Sequence, residues 1–443
     1  MTKLPRGWAW ARLGDLCKPI SNCDPRILDR PTFQYVDISA IEAGGSPGIR
    51  PRRLPVSNAP GRARKLMAAG DILFATVRPY LKKIGYATPA LDGEIASTGF
   101  CVLRPVETVD SRYVYHYVQC DIFLNQILPK QRGVSYPAIL DSDIFDSSIP
   151  LPPLAEQRRI VAALEDHLSR LDAGQSYVRQ VTYQATKFSS SYLLGLLRET
   201  SRCSWSKLGD LAHDSCYGTS EKCSYDGNGI PVIRIPNVQS GQIELSDLKY
   251  TLQADLHLNN LMIRRGDILF IRSNGSRSLI GRAAVAKTNL DAAFASYLIR
   301  FRLNPELVNP QWVNAVVQSP PLRAEIESLA ASSAGQYNLN ISKLARLKIP
   351  VPSPQMQEDL LNQFDEASES ASRLNRFALQ LDSRAAQLRR SLLSEAFAGC
   401  LVPQDPNDEP ASVLLEGIRT ERIMHTKPKR IRRAAQPTQE PLL

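Results

Sequence analysis

The sequence predicts a mixed α/β protein in which two globular domains are joined by two long helices. The helices form an antiparallel coiled coil, and the halves are related by a pseudo-twofold internal repeat. Three observations predict this. The second half of the 443 residues echoes the first at an offset of about 200, far longer than a solenoid period. Two proline-rich stops, Pro150–Pro153 and Pro350–Pro354, each precede a long segment with heptad patterning. The remainder reads as short apolar strands and helices punctuated by Gly, Pro and Ser.

The elements follow in order. Trp8 with Leu13-Gly14-Asp15 opens the first half, and Trp205 with Leu208-Gly209-Asp210 opens the second. GDILF stands at Gly70–Phe74 and again at Gly266–Phe270, each a turn feeding a short strand and each followed by an arginine, Arg78 or Arg272. Tyr297–Leu303 alternates and reads as a strand. Tyr113–Ile127 and Gln311–Ser328 read as short helices. Ile149-Pro150-Leu151-Pro152 then matches Ile349-Pro350-Val351-Pro352, with Gln157 and Gln357 just beyond. Proline tolerates a helix start and bars helix upstream, so each stop marks a helix beginning. The expected organisation is 1–150 first globular domain, 151–198 first helix, 199–350 second globular domain, 351–400 second helix and 401–443 C-terminal tail.

The seam of the first helix includes Ile160, Leu164, Leu171, Val178 and Phe188, with His167 and Gly174 as its weak points. The second runs through Leu360, Phe364, Leu374, Leu381 and Leu388, with small residues between. Matched length and register favour mutual packing, since each helix has one apolar stripe to bury. At about 1.5 Å per residue, some 40 residues span roughly 60 Å.

Composition narrows the function. Hydrophobic residues at 43% exclude wholesale disorder, and no run is long and apolar enough for a membrane span. The first residues lack an apolar signal core, which together with eight scattered cysteines suits a reduced, cytoplasmic protein. Cys203, His213, Cys216 and Cys223 lack the spacing of a common zinc site, so no metal is expected. No phosphate-binding loop, dinucleotide fingerprint, HExxH or G-x-S-x-G occurs. Asn309-Pro310-Gln311-Trp312 and Ser319-Pro320-Pro321-Leu322 each miss one element of the adenine-methyltransferase tetrapeptide. No catalytic residue is expected.

Lys plus Arg is 54 against 44 acidic residues, a net +10 that suits a polyanionic partner. The cations cluster. Arg50–Lys65 reads as a flexible basic loop able to follow a phosphate backbone. Behind the GDILF strands lie Arg78, Lys82 and Lys83, then Arg272, Ser273, Asn274, Arg277 and Arg282. Arg pairs bidentately with guanine and Asn with adenine, so such loops can read base edges. Ahead of the IPxP stops lie Ser135 and Tyr136, then Gln336, Tyr337 and Asn338, able to bond or stack on nucleic acid. Lys427–Arg433 reads as a basic tail.

These features together resemble the specificity subunit of type I restriction–modification systems. The residues carrying the likeness are IPLPPLAEQRRIVAALE and IPVPSPQMQEDLLNQFDE, the two GDILF segments, and the second helix end, Leu388–Ile418. The resemblance implies two target-recognition domains, each reading half of a split, asymmetric DNA site. It implies helices that set the half-site distance. It also implies two methylation subunits and usually two restriction subunits as partners, which carry S-adenosylmethionine, ATP and Mg²⁺, while this chain carries no cofactor. The rival readings are a methyltransferase or nuclease with divergent motifs, and a coiled-coil scaffold that binds only proteins. Two departures stand out. The first half lacks the Ser-Asn-Gly that follows the second GDILF strand, and the first helix ends in SYLLGLLRET instead of SLLSEAFAGCL.

Overall fold

The structure is a computed structural model that describes residues 4–42, 48–133, 136–200, 203–238, 241–252, 256–333 and 335–425. It comprises two compact units, Met1–Gln175 with Leu381–Leu443, and Ser176–Gln380. Each unit combines short sheets with helices.

In the first unit the GDILF strand, Ile72–Ala75, is wholly buried and lies between Ile84–Tyr86 and Phe100–Leu103, antiparallel to both. A second sheet has order Arg52–Pro55, Thr32–Val36, Ile95–Ser97, Ala63–Leu66, with one parallel pairing at Tyr35–Val36. The second unit repeats the plan. Asp267–Ile271 lies between Ala283–Val285 and Leu298–Leu303, and one parallel pairing joins Pro231–Ile233 to Ala293–Phe294. Leu298–Leu303 gains a further neighbour, Ala212–Tyr217, and its side chains pack into core on both faces, so its burial does not alternate.

The motif residues have structural duties. Gly70 and Gly266 both have φ of 88°, a left-handed conformation that favours glycine. The Asp that follows each is fully buried. Asp71 takes two 2.7 Å bonds from Arg104 and one from the Ala68 N–H. Asp267 takes two 2.7 Å bonds from Arg302 and one from the Arg264 N–H. A carboxylate buried this way is held by a bidentate guanidinium. Gln157 and Gln357 are clamps of the same kind. Their Nε2 atoms donate to Pro152 and Pro352, and their Oε1 atoms accept from Asp110 and Asn309. Those two residues cap the helices Ser111–Tyr117 and Pro310–Val316. Each helical stretch then breaks before a second piece, Asp121–Ile127 or Pro320–Leu329.

Strand register corrects one sequence match. Trp10 pairs with Pro150 and Trp205 pairs with Pro350, so Trp10, not Trp8, is the counterpart of Trp205. Trp8 instead donates its indole N–H to the buried Glu156 at 3.0 Å.

The long helices are Leu154–Glu199 and Pro354–Ala398. Within the first unit, Gln175 donates to Asp382 at 3.0 Å and Asp172 pairs with Arg389. Within the second, Val181 and Ala185 line one groove with Ala367, Ala371 and Leu374. Ile160, Leu164 and Leu360 are buried, and Leu171, Val178, Phe364 and Leu381 are half-buried. The Phe188 side chain lies outside the described residues. Leu374 and Leu388 depart from the expected seam, at 41% and 54% exposed. Asn375 and Arg389 take the more covered positions. A straight helix drifts against a 3.5-residue repeat, and Arg389 turns inward to meet Asp172.

Part of the segment read as a tail is ordered. The helix Pro354–Ala398 ends at Gly399, whose φ is 74°. A Cβ there would stand 2.4 Å from Pro5 Cγ. A further helix, Ala411–His425, docks on the first unit, where Ala411, Leu415 and Ile418 join its core. Lys427–Arg433 lies outside the described residues.

Candidate nucleic-acid interface

In the second unit, the segment after GDILF and the segment before IPVP meet. Ser273–Asn274 pairs antiparallel with Gln336–Asn338, Ser273 opposite Asn338 and Asn274 opposite Tyr337. Gln336–Asn338 folds back on Ala331–Ser333 as a hairpin. The Leu339 N–H donates to the Arg272 carbonyl at 2.8 Å. The chain thus brings Arg272, Ser273, Asn274, Gln336, Tyr337 and Asn338 into one small sheet. Asn274 uses its Oδ1 on the Ser276 N–H, 2.8 Å away, leaving its amide nitrogen to other partners. Arg277 and Arg282 follow in the same loop and bond backbone carbonyls of Glu327 and Ser278.

The first unit repeats this pairing. The Ile139 N–H donates to Thr76 at 3.0 Å, as Leu339 does to Arg272. The Arg78 N–H donates to Pro137 at 2.7 Å. Arg78 therefore stands where Asn274 does, and Thr76 where Arg272 does, a two-residue offset that the shared arginine concealed. Arg78 has φ of 51° and lies over the Tyr136 ring at 5.1 Å. Tyr136 is 71% exposed. Ser135 lies outside the described residues. Lys82 and Lys83 are partly committed elsewhere. Lys82 pairs with Asp121 at 2.9 Å, and Lys83 donates to the Ile38 carbonyl at 3.0 Å.

The basic stretch Arg50–Lys65 is not a flexible loop. It contains two strands, and Arg50, Arg52, Arg64 and Lys65 pair with Glu42, Asp37, Asp24 and Asp141. By contrast, Arg78, Arg272, Arg277 and Arg282 make no ion pair among the described residues. Cations without a carboxylate, set beside amide and phenol side chains, have the chemistry to meet phosphates and base edges.

Sequence reasoning missed Tyr217. Its ring carries the Arg272 guanidinium at 4.5 Å, a cation–π contact that aims the arginine. Tyr217 sits on a strand far upstream and is juxtaposed through the pairing of Ala212–Tyr217 with Leu298–Leu303 and by its hydroxyl, which accepts from the Ile341 N–H at 3.3 Å. A second such cluster, Tyr225 with Arg234 and Lys249, also went unseen, because its members are similarly dispersed.

Comparison with known proteins decides the family of the chain. The profile of the type I restriction modification DNA specificity domain matches twice, at residues 5–176 and 204–376. The chain belongs to this family. The two matches coincide with the two copies of the GDILF-to-IPxP plan. Among similar specificity-domain proteins, the type I restriction enzyme StySPI specificity subunit of Salmonella potsdam is 25% identical over 363 residues, covering 77% of this chain and 78% of that one. The EcoKI specificity subunit of Escherichia coli K12 is 25% identical over 352 residues, covering 74% and 76%. In solved structures, the HsdS subunit of Thermoanaerobacter tengcongensis matches with a TM-score of 0.50 and 29% identity over 90% of this chain and 98% of that one. A chain from a structure of a type I restriction–modification assembly matches with a TM-score of 0.72 and 28% identity, over 90% and 100%. This specificity-domain protein serves as the DNA-specificity subunit of a type I system and is non-catalytic.

Proposed function

We propose that each unit reads one half of a bipartite, asymmetric DNA site through its paired loops. One observation carries this reading. The same backbone pairing occurs in both units but presents different side chains at equivalent places, Arg78 beside Tyr136 in one and Asn274 beside Gln336 and Tyr337 in the other. A shared scaffold with unlike reading groups suits two unlike half-sites. Phosphate contacts set register, and the loop side chains read base edges.

The two long helices pair as an antiparallel coiled coil and fix the half-site separation. The order of their contacts supports this, Asp172 with Arg389 and Gln175 with Asp382, rising along one helix as it falls along the other. Methylation and restriction subunits, two of each, assemble on the chain. They supply S-adenosylmethionine, ATP and Mg²⁺, and the methylation subunits take adenine out of the stack for transfer. The assembly works in the cytoplasm. No helix among the described residues is long and apolar enough to cross a membrane.

Gel shifts of the chain with its methylation subunit test the reading. A target duplex should shift far below the protein concentration needed for a scrambled duplex. Equal affinity for both would overturn it.

A further inference from the structure

The docked helix Ala411–His425 covers a face of the first unit for which the second unit shows no matching cover among the described residues. In the first unit this helix lays Leu415 and Ile418 against Trp10 and Ala11. Its next turns line a recess with Thr108 and Pro153. Arg422 donates to the carbonyls of Gly14 and Cys17 at 2.7 Å and stands 3.6 Å from Asp15.

Strand register and helix caps map this face onto the second unit. Trp10 corresponds to Trp205, Gly14 to Gly209 and Asp15 to Asp210. Asp110 and Asn309 cap equivalent helices, so Thr108 corresponds to Leu307. Trp205 is 44% exposed and Leu307 is 50% exposed. The Asp210 carboxylate makes no ion pair among the described residues, and the adjacent Gly209 carbonyl has room for a second donor. By this mapping an exposed tryptophan, an exposed leucine and an acid with no ion pair among the described residues share one face, an interface composition with a large apolar anchor and a charged rim.

We propose that this face of the second unit seats an amphipathic helix from a subunit with which the chain assembles. That helix carries a small residue, two aliphatic residues and an arginine at the spacing of Ala411, Leu415, Ile418 and Arg422. The aliphatic pair covers Trp205 and Leu307, and the arginine bonds Asp210 and the Gly209 carbonyl. The inference rests on the assembly reading above.

The test places a photoreactive group in the full chain by Trp205→benzoylphenylalanine, with the chain co-expressed with its methylation and restriction subunits. The expected result is a cross-link within a helix of one subunit that has the stated spacing. In parallel, Trp205→Ser and Asp210→Arg should each weaken assembly roughly tenfold or more while leaving the melting temperature of the isolated chain unchanged. A cross-link only to this chain's own Ala411–His425, or to a segment lacking the spacing, would overturn the inference. So would normal assembly of both variants. Failure of the unaltered chain to assemble would overturn the assembly reading itself, and is seen before any variant is compared.

Discussion

Replacing Asp267 by Ala should unfold the second unit more readily than any surface substitution near it. The carboxylate is fully buried and receives two 2.7 Å bonds from Arg302 and one 2.8 Å bond from the Arg264 N–H. Arg302 is itself only 16% exposed, so truncating its partner leaves a guanidinium with little access to water. Removing one member of such a pair costs about 3–5 kcal/mol. With a denaturant slope of about 2–3 kcal/mol per molar urea, the midpoint should fall by roughly 1–2.5 M. The assay is urea unfolding of the full chain, with Trp312 of the second unit as an intrinsic reporter, since its indole is buried and bonded to the Pro350 carbonyl. Adding Arg302→Met to Asp267→Ala should recover part of the loss, because no unpaired charge then remains. A cost below about 1 kcal/mol for Asp267→Ala, or no recovery in the double variant, would refute the reasoning.

Four further outcomes are expected. The His116 imidazole and the Arg112 guanidinium hold the Glu165 carboxyl down at about 2, against an ordinary 4.5. A depressed carboxylate stabilises the folded state above its unfolded value, so this contribution should fade as pH falls from about 4.5 towards 2, and Glu165→Gln should remove that part of the acid-denaturation profile. Gly399→Val should destabilise the first unit by about 1–3 kcal/mol in thermal melts, since the residue has positive φ and a Cβ there would meet Pro5. Arg78→Ala and Arg272→Ala should each cost about 1–3 kcal/mol of discrimination, at opposite half-sites, when methylation is measured on single-base variants of the target. Lengthening both long helices by two turns should shift the preferred spacer between half-sites, read by selection from a randomised-spacer library.

The duplication and the mixed α/β content were legible because they rest on local signals. Proline stops a helix wherever it stands, and GDILF repeats as a string. The roles of the motif residues were not legible. The Asp of GDILF reads as a turn residue, and only the sheet shows that Arg104, just past the end of the neighbouring strand, and Arg302, on it, reach that carboxylate. Trp8 lies nearer the start of the chain and suggested itself as the partner of Trp205, but strand pairing selects Trp10. Arg78 and Arg272 likewise share a residue type without sharing a position. The candidate loops were picked out from composition, whereas Tyr217 was not, because its contact with Arg272 crosses a sheet and leaves no trace in spacing. The seam failed at Leu374 and Leu388, where helix drift and the Asp172–Arg389 pair decide which side faces in.

The claim that each unit reads its own half-site is tested most directly by exchanging residues 1–150 for the corresponding domain of another specificity subunit. Methylated positions are then mapped across the DNA of cells carrying the chimaera and the methylation subunit. The account predicts that one half of the recognised sequence changes while the other half and the spacer stay as they were. A change in both halves, or in neither, would contradict it.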